Sequence, residues 1–316
     1  MYRSILLASA ASLSLISLSF AQVPAPDDDP SWRQDTIIVT GQQRAYSADT
    51  AGVARTSTPL SEIPQSIQVI TPTLLKEQEA GTLSEALLNV SGVVPSQPSE
   101  IVLANPVVRG FEAEIYVDGL IGYGDTAVID PASLVTVERI EVAKGPTSVL
   151  FGGGTGAPVG GLINVVTKTP QADAFTRLGL RAGSFSTFAP NLDINLPVGD
   201  RAGFRLPAEY VSSEDFIEEV EIERITLAPS FGFAATDKTD ILFRLGYNRI
   251  EQLEYAGLPS EVASRPGVDP FQFTGAVDTP YTEIENLTFH STVEHRFSDE
   301  ITGTFQLRRF ENSIRE

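Results

Sequence analysis

Cysteine is absent from this 316-residue chain. That excludes disulfide bridges, thiol nucleophiles and cysteine-bound zinc. Histidine occurs only twice, at His290 and His295, which leaves little for imidazole catalysis. The two lie five apart in one strand-like stretch, where side chains alternate between faces, so they cannot grip one metal together. Basic residues are scarce: 22 Lys and Arg stand against 41 Asp and Glu, for a net charge of −19. A polyanion needs a basic face, so nucleic acid is not an expected partner. Long apolar runs are also missing after the N-terminus. None approaches the ~20 residues of a membrane-spanning helix, so any span of the mature protein must be made of strands.

The first segment present is an export signal. Arg3 supplies positive charge, residues 5–18 form an apolar, Ser-rich run, and Ser19-Phe20-Ala21 gives small residues around a cleavage point. Residues 1–21 are therefore expected to be a signal peptide. A flexible linker follows over residues 22–42, rich in Pro at its start and carrying the acidic trio Asp27-Asp28-Asp29. Inside it stands the β-prone stretch Asp35, Thr36, Ile37, Ile38, Val39, Thr40. Such a lone strand in a mobile arm can add itself to the sheet edge of another protein.

Residues 43–170 read as a small α+β unit. Alternation predicts a strand over Ser66 to Ile70, and Thr71 with Pro72 opens a helix to Glu79. Thr82 and Glu85 form a capping box for a second helix, with Leu83, Leu87 and Leu88 on one face and a stop near Gly92. Val107-Val108 and Ile115 to Val117 read as strands, the latter ending in a turn at Asp118-Gly119. Arg139 to Ala143 sets Ile140 and Val142 against Arg139 and Glu141. Leu162 to Thr167 is an apolar strand.

From residue 171 the texture becomes alternating segments of about ten residues. In the first, Arg177, Gly179 and Arg181 oppose Leu178, Leu180 and Ala182. Asp193 and Asn195 oppose Ile194 and Leu196 in the next. Ile225 to Ala235 pairs with Asp240 to Ile250 across a short turn, and Glu283 to Phe297 with Ile301 to Phe310 across another. Tight turns alternate with long connections, among them a Gly/Pro-rich stretch over residues 257–280. That asymmetry marks a transmembrane β-barrel. Phe185, Phe188, Tyr210, Phe231 and Tyr247 are expected near strand ends, in an interfacial girdle. A soluble antiparallel sandwich would alternate as well. The fold class expected is an α+β domain followed by antiparallel strands of an incomplete barrel.

Several ordered motifs resemble one family, the TonB-dependent outer-membrane receptors of the ferric-siderophore type. Asp35 to Thr40 resembles a TonB box. Ile63-Pro64-Gln65-Ser66-Ile67-Gln68-Val69-Ile70-Thr71 is similar to the start of the family's plug domain, and Leu83-Ser84-Glu85-Ala86-Leu87 to its next helix. Arg109-Gly110-Phe111, Tyr116-Val117-Asp118-Gly119, Val137-Glu138-Arg139-Ile140-Glu141-Val142 and Gly160-Gly161-Leu162-Ile163-Asn164 complete the set. The resemblance implies a plug over residues 43–170 and about seven barrel strands over residues 171–316. A complete wall of this class has 22 strands, which needs on the order of 450 residues. The chain is thus expected to be the N-terminal part of a receptor, either a sequence fragment or the product of a truncated gene.

The implied activity is import of a ferric siderophore across the outer membrane, with iron carried by the ligand, no cofactor, and no enzymatic step. Implied partners are TonB, the siderophore and outer-membrane lipid, with the full-length protein a monomer. Arg109 and Lys144 are implied to pair with carboxylates on distant barrel strands. The family usually has Arg at the second position, and Lys keeps the charge but loses the two-pronged fork. Tyr123, in an apical loop, is implied as a ligand contact. Cobalamin, haem or sugar cargo stays open, as does a periplasmic plug-like binding module.

Overall fold

The computed structural model describes residues 46–56, 58–95, 106–121, 133–147, 159–215, 217, 219–253, 255, 257–269, 271–275 and 281–315. The expected signal peptide, the linker with Asp35 to Thr40, and Tyr123 lie outside the described residues.

The first unit is built on β1 (Ser66–Ile70), α1 (Pro72–Glu77), α2 (Leu83–Leu87), β2 (Val93–Val94), β3 (Val107–Val108), β4 (Phe111–Glu112), β5 (Glu114–Val117), β6 (Leu120–Ile121), β7 (Val137–Lys144) and β8 (Gly161–Thr167). Five of these strands form one sheet in the order β1-β7-β8-β5-β6. Its pairings are antiparallel except β5 with β8. A small second sheet holds β2-β3-β4. Thr71 caps α1 by accepting the Leu74 N–H, with Pro72 in the first turn. The capping box of α2 is present: Thr82 accepts from the Glu85 N–H and Glu85 from the Thr82 N–H, both at 3.2 Å. Each such cap contributes about 1 kcal/mol.

Three local expectations need correcting. The first helix ends at Glu77, not Glu79, because Glu79 turns left-handed at φ 49. The second ends at Leu87, well before Gly92. Leu88 is 66% exposed and does not share the face of the buried Leu83 and Leu87. Five residues advance about 140° around a helix, so a position i+5 leaves the stripe.

The central strands are covered on both sides. One face packs Ile140, Val142, Ile163 and Val165 with Leu83 and Leu87 from α2. The other face packs Val69, Tyr116, Ala143 and Leu162 with Ala51 and Val53 from the chain preceding β1. Arg139 and Glu141 do oppose Ile140 and Val142, but they too are buried. At the start of β8, a side chain on Gly160 would sit 2.3 Å from the Val108 carbonyl oxygen, so only glycine lets β8 approach β3 there.

The second unit is an antiparallel sheet of β9 (Phe175–Ala182), β10 (Phe188–Val198), β11 (Ala202–Glu214), β12 (Glu221–Leu227), β13 (Ser230–Thr236), β14 (Thr239–Gln252), β15 (Thr282–Arg296) and β16 (Thr302–Arg315). The segment expected as one strand over Ile225 to Ala235 is divided into β12 and β13, because Pro229 has no N–H to give the ladder. The register runs straight through the gap. Leu227 faces Tyr247 and Ser230 faces Arg244, three residues on in both strands. The sheet therefore makes seven staves.

This sheet is inside out relative to a soluble one. Its polar face is buried: Asp193, Asn195, Arg205, Thr226, Ser230, Asn286 and His290 all pack inward. Its apolar face is open, with Leu178 77% and Leu180 63% exposed. A water-soluble sandwich would bury the leucines, so the arrangement fits a wall whose outer solvent is hydrocarbon. A row of outward aromatics, Phe231, Phe233, Phe243 and Phe289, has neighbouring ring centres 5.7, 6.3 and 6.1 Å apart. Tyr210 and Tyr247 lie within strands, not at their ends. β14 runs 14 residues where ~9–11 suffice to cross a bilayer, so the edge of the apolar band falls partway along it.

Candidate functional site

The chemistry concentrates where the first unit meets the wall. β5 and β6 join through Asp118-Gly119, at φ 52 and 79, the two left-handed residues of a tight hairpin. The turn delivers Asp118 to the seam. Its carboxylate accepts the Thr167 N–H at 2.9 Å and the Thr167 hydroxyl at 2.8 Å. From the wall, Arg244 Nε and His290 Nδ1 each approach to 3.7 Å. Gln306 Nε2 donates to the Asp118 carbonyl at 3.1 Å, and Arg308 Nη1 to the Ile121 carbonyl at 3.4 Å. Burial pushes the Asp118 carboxyl up. The Arg244 charge, the His290 contact and the Thr167 N–H outweigh it and hold the group well below the usual carboxylate range. Asp118 is a fixed anion.

A second knot ties the junction between the units. Arg205 takes Asp193 in a fork, and its Nη1 donates to the Thr169 carbonyl at 2.9 Å and reaches Glu138 Oε2 at 3.4 Å. Lys168 Nζ adds a contact of 2.9 Å to Asp193. Burial lowers the Lys168 pKa, and the Asp193 carboxylate opposes that. Ser133 donates to Glu209, which also takes Arg224 Nη2 at 3.3 Å. Together these contacts seat the α+β unit on the polar face of the wall.

Between the knots lies a cavity of about 140 Å³, lined by Asp118, Thr167 and Lys168 from one side and Thr226, Ser230, Arg244, Asn286, His290 and Arg308 from the other. Ser230 Oγ and His290 Nε2 are buried there with no hydrogen-bond partner among the described residues. Polar groups in a space this size suit ordered water. Among the described residues no His, Asp and Glu cluster could hold a metal ion.

Arg109 and Lys144 come together at one edge of the first unit. Arg109 Nη1 lies 3.3 Å from where a side chain on Gly145 would begin. Lys144 Nζ donates to Gln68 Oε1 at 3.0 Å and Ser91 Oγ at 2.8 Å. Burial and the Arg109 charge both lower the Lys144 pKa. Among the described residues neither cation has a carboxylate partner. Sequence reasoning missed Asp193, Arg205, Arg244 and the role of Asp118. A charge on the polar side of an otherwise apolar strand was the available signal, but its partner is set by which strand wraps which face.

A family model for the TonB-dependent receptor plug domain matches residues 59–159. The ferrichrome outer membrane transporter/phage receptor of Escherichia coli K12 is 32% identical over 309 residues, covering 89% of this chain and 40% of that protein. The chain belongs to the TonB-dependent receptors. The ferrioxamine B receptor of Salmonella typhimurium LT2 is 30% identical, covering 84% of this chain and 39% of its own length. The crystal structure of the siderophore receptor PiuA from Acinetobacter baumannii superposes with a TM-score of 0.75 at 24% identity, over 87% of this chain and 40% of that one. This TonB-dependent receptor chain therefore spans about two fifths of the length of the curated relatives it matches. The family places it in the outer membrane, and the family's members are receptors and transporters, not enzymes. Its α+β unit carries the plug domain, and its inverted sheet is barrel wall.

Proposed function

We propose that the chain serves TonB-driven import of a ferric siderophore across the outer membrane, as the plug-bearing part of the receptor. The observation that carries this reading is the seam itself: a globular unit is held against the polar face of a lipid-facing wall by hydrogen bonds and buried ion pairs. Such contacts can be broken and remade without exposing a hydrophobic core. The ferrichrome and ferrioxamine B relatives support a siderophore as cargo.

In this reading Asp35, Thr36, Ile37, Ile38, Val39 and Thr40 form the TonB box and pair with TonB as an added strand. Arg109 and Lys144 meet carboxylates of further barrel strands. Their charges, close together and with no carboxylate partner among the described residues, support that role. Tyr123 contacts cargo at the outer face, and the iron stays in its chelator. The full-length receptor works as a monomer in lipid. The test is uptake of radioiron-loaded ferrichrome and ferrioxamine B by cells expressing the full-length gene, with and without TonB. Uptake that needs TonB supports the reading; uptake of neither chelate removes the hydroxamate siderophores as cargo.

A second cargo has its own support. The metal-pseudopaline receptor of Pseudomonas aeruginosa is 29% identical over 263 residues. A metal chelate of that kind is the alternative, to be compared in the same uptake assay.

A further inference from the structure

The described residues begin at Tyr46, separated by five residues from the proposed TonB box, and lead into the plug core. Tyr46 donates to Glu77 at 2.7 Å on the exposed surface, and the Asp49 carbonyl accepts the Leu60 N–H at 2.8 Å. Ala51 and Val53 then sink into the core cluster of Val69, Tyr116, Ala143 and Leu162. There a 3-10 turn, Gly52–Ala54, points its first N–H groups at Glu141. Glu141 is fully buried. It accepts the Gly52 N–H at 3.0 Å, the Val53 N–H at 2.7 Å, Arg139 Nε at 2.8 Å and Asn164 Nδ2 at 3.1 Å. The other end of the Asn164 amide accepts the Gly119 N–H at 3.0 Å, next to Asp118 at the seam.

We propose that Glu141 is a positioning residue for energy coupling: it clamps the arm behind the TonB box to the plug sheet. Through Asn164 it ties that arm to the turn that fastens the plug to the wall. The inference rests on the TonB reading above. A pull on the box meets the exposed Tyr46 contact first, which water competes for and which yields easily. The next hold is a desolvated carboxylate with four donors. Removing two of them at once leaves a buried anion half-satisfied, so the clamp resists and then gives way as a unit. Release also frees Asn164, whose amide orients the Asp118-Gly119 hairpin. Plug and wall would then loosen in response to the arm, without direct traction on the seam.

Two variants of the intact, detergent-purified receptor test this. Glu141→Gln keeps the volume but removes the charge. Gly52→Pro acts from the arm's side, outside the sheet: it deletes one donor and puts a ring carbon where the N–H met the Glu141 carboxylate, so that contact cannot form. Ala51 before it is already extended, as a residue preceding proline requires. Hydrogen exchange at the Val53 amide is expected to speed up at least tenfold in both, the equivalent of about 1.4 kcal/mol, while amides of β8 stay protected. Residues 1–316 have no cysteine, so Asp35→Cys, with any cysteine of the remaining barrel replaced by serine, gives a single handle for single-molecule pulling. The clamp rupture, the one that follows release of Tyr46, is expected at lower force in Gly52→Pro, with later steps unchanged. Unchanged Val53 exchange and an unchanged clamp rupture in Gly52→Pro would overturn the proposal, even if Glu141→Gln does not fold. Neither measurement needs TonB or cargo, so failure of the clamp and failure of the import reading are told apart.

Discussion

Arg205 on β11 holds Asp193 on β10 with two parallel hydrogen bonds, Nε to Oδ1 and Nη2 to Oδ2, each 2.9 Å. The pair is buried at the polar face of the wall, and its remaining guanidinium nitrogen reaches into the plug. Arg205→Ala would leave Asp193 facing Lys168 alone in a desolvated site. Breaking a buried pair from one side costs about 3–5 kcal/mol. The thermal midpoint of the full-length receptor should fall clearly. Arg205→Lys should recover part of the loss, because charge returns without the fork. A midpoint unchanged in both would show that the knot does not hold the plug.

Asp118 gives a pH-dependent contribution with a definite sign. Its folded-state pKa lies below the ordinary value of 3.8. The stabilisation is thus fully present above about pH 4, the unfolded-state range, and is lost as the pH falls from there toward the folded value. Asp118→Asn should destabilise the receptor at pH 7 by about 1–3 kcal/mol. It should also flatten the decline in thermal midpoint between pH 5 and pH 3. An equally steep decline in the variant would assign the acid sensitivity elsewhere.

The outward leucines test which solvent the wall faces. Leu178→Arg places a charge on the exposed face of β9. In a bilayer that costs about 2–4 kcal/mol near the midplane, so less folded receptor should reach the outer membrane, read as heat-modifiable protein in membrane fractions. On a water-facing surface the same change would be silent.

Ile38→Pro addresses the proposed TonB box. Proline removes a ladder donor, so energised uptake should be abolished while cargo affinity, measured on the purified receptor, stays the same. Equal loss of binding would refute the separation of box from binding site.

Much of the plug could be read along the chain because its signals are local. The capping box at Thr82 and Glu85 needs three intervening residues and nothing else, and it is present as expected. Pro72 after Thr71 and the left-handed pair Asp118-Gly119 are of the same kind. Leu88 departs from the face of Leu83 and Leu87 because rotation per residue, not a run of leucines, decides which side of a helix is buried. The alternation of Arg139 and Glu141 with Ile140 and Val142 predicts the strand but not that both faces are buried. Nothing near them in sequence says that residues 51–53 return to cover them.

By itself the sequence determined the alternation of polar and apolar residues past residue 170, the turn positions, and the ordered motifs of the family, since each depends on neighbours within a few residues. Only the tertiary structure decided which face of the wall is inside. It also decided that Asp118 meets Arg244 and His290, that Arg205 bridges wall and plug, and that Glu141 grips the arm. Those contacts join residues from 36 to 172 positions apart, and their energies come from shared burial, which no stretch of sequence carries alone.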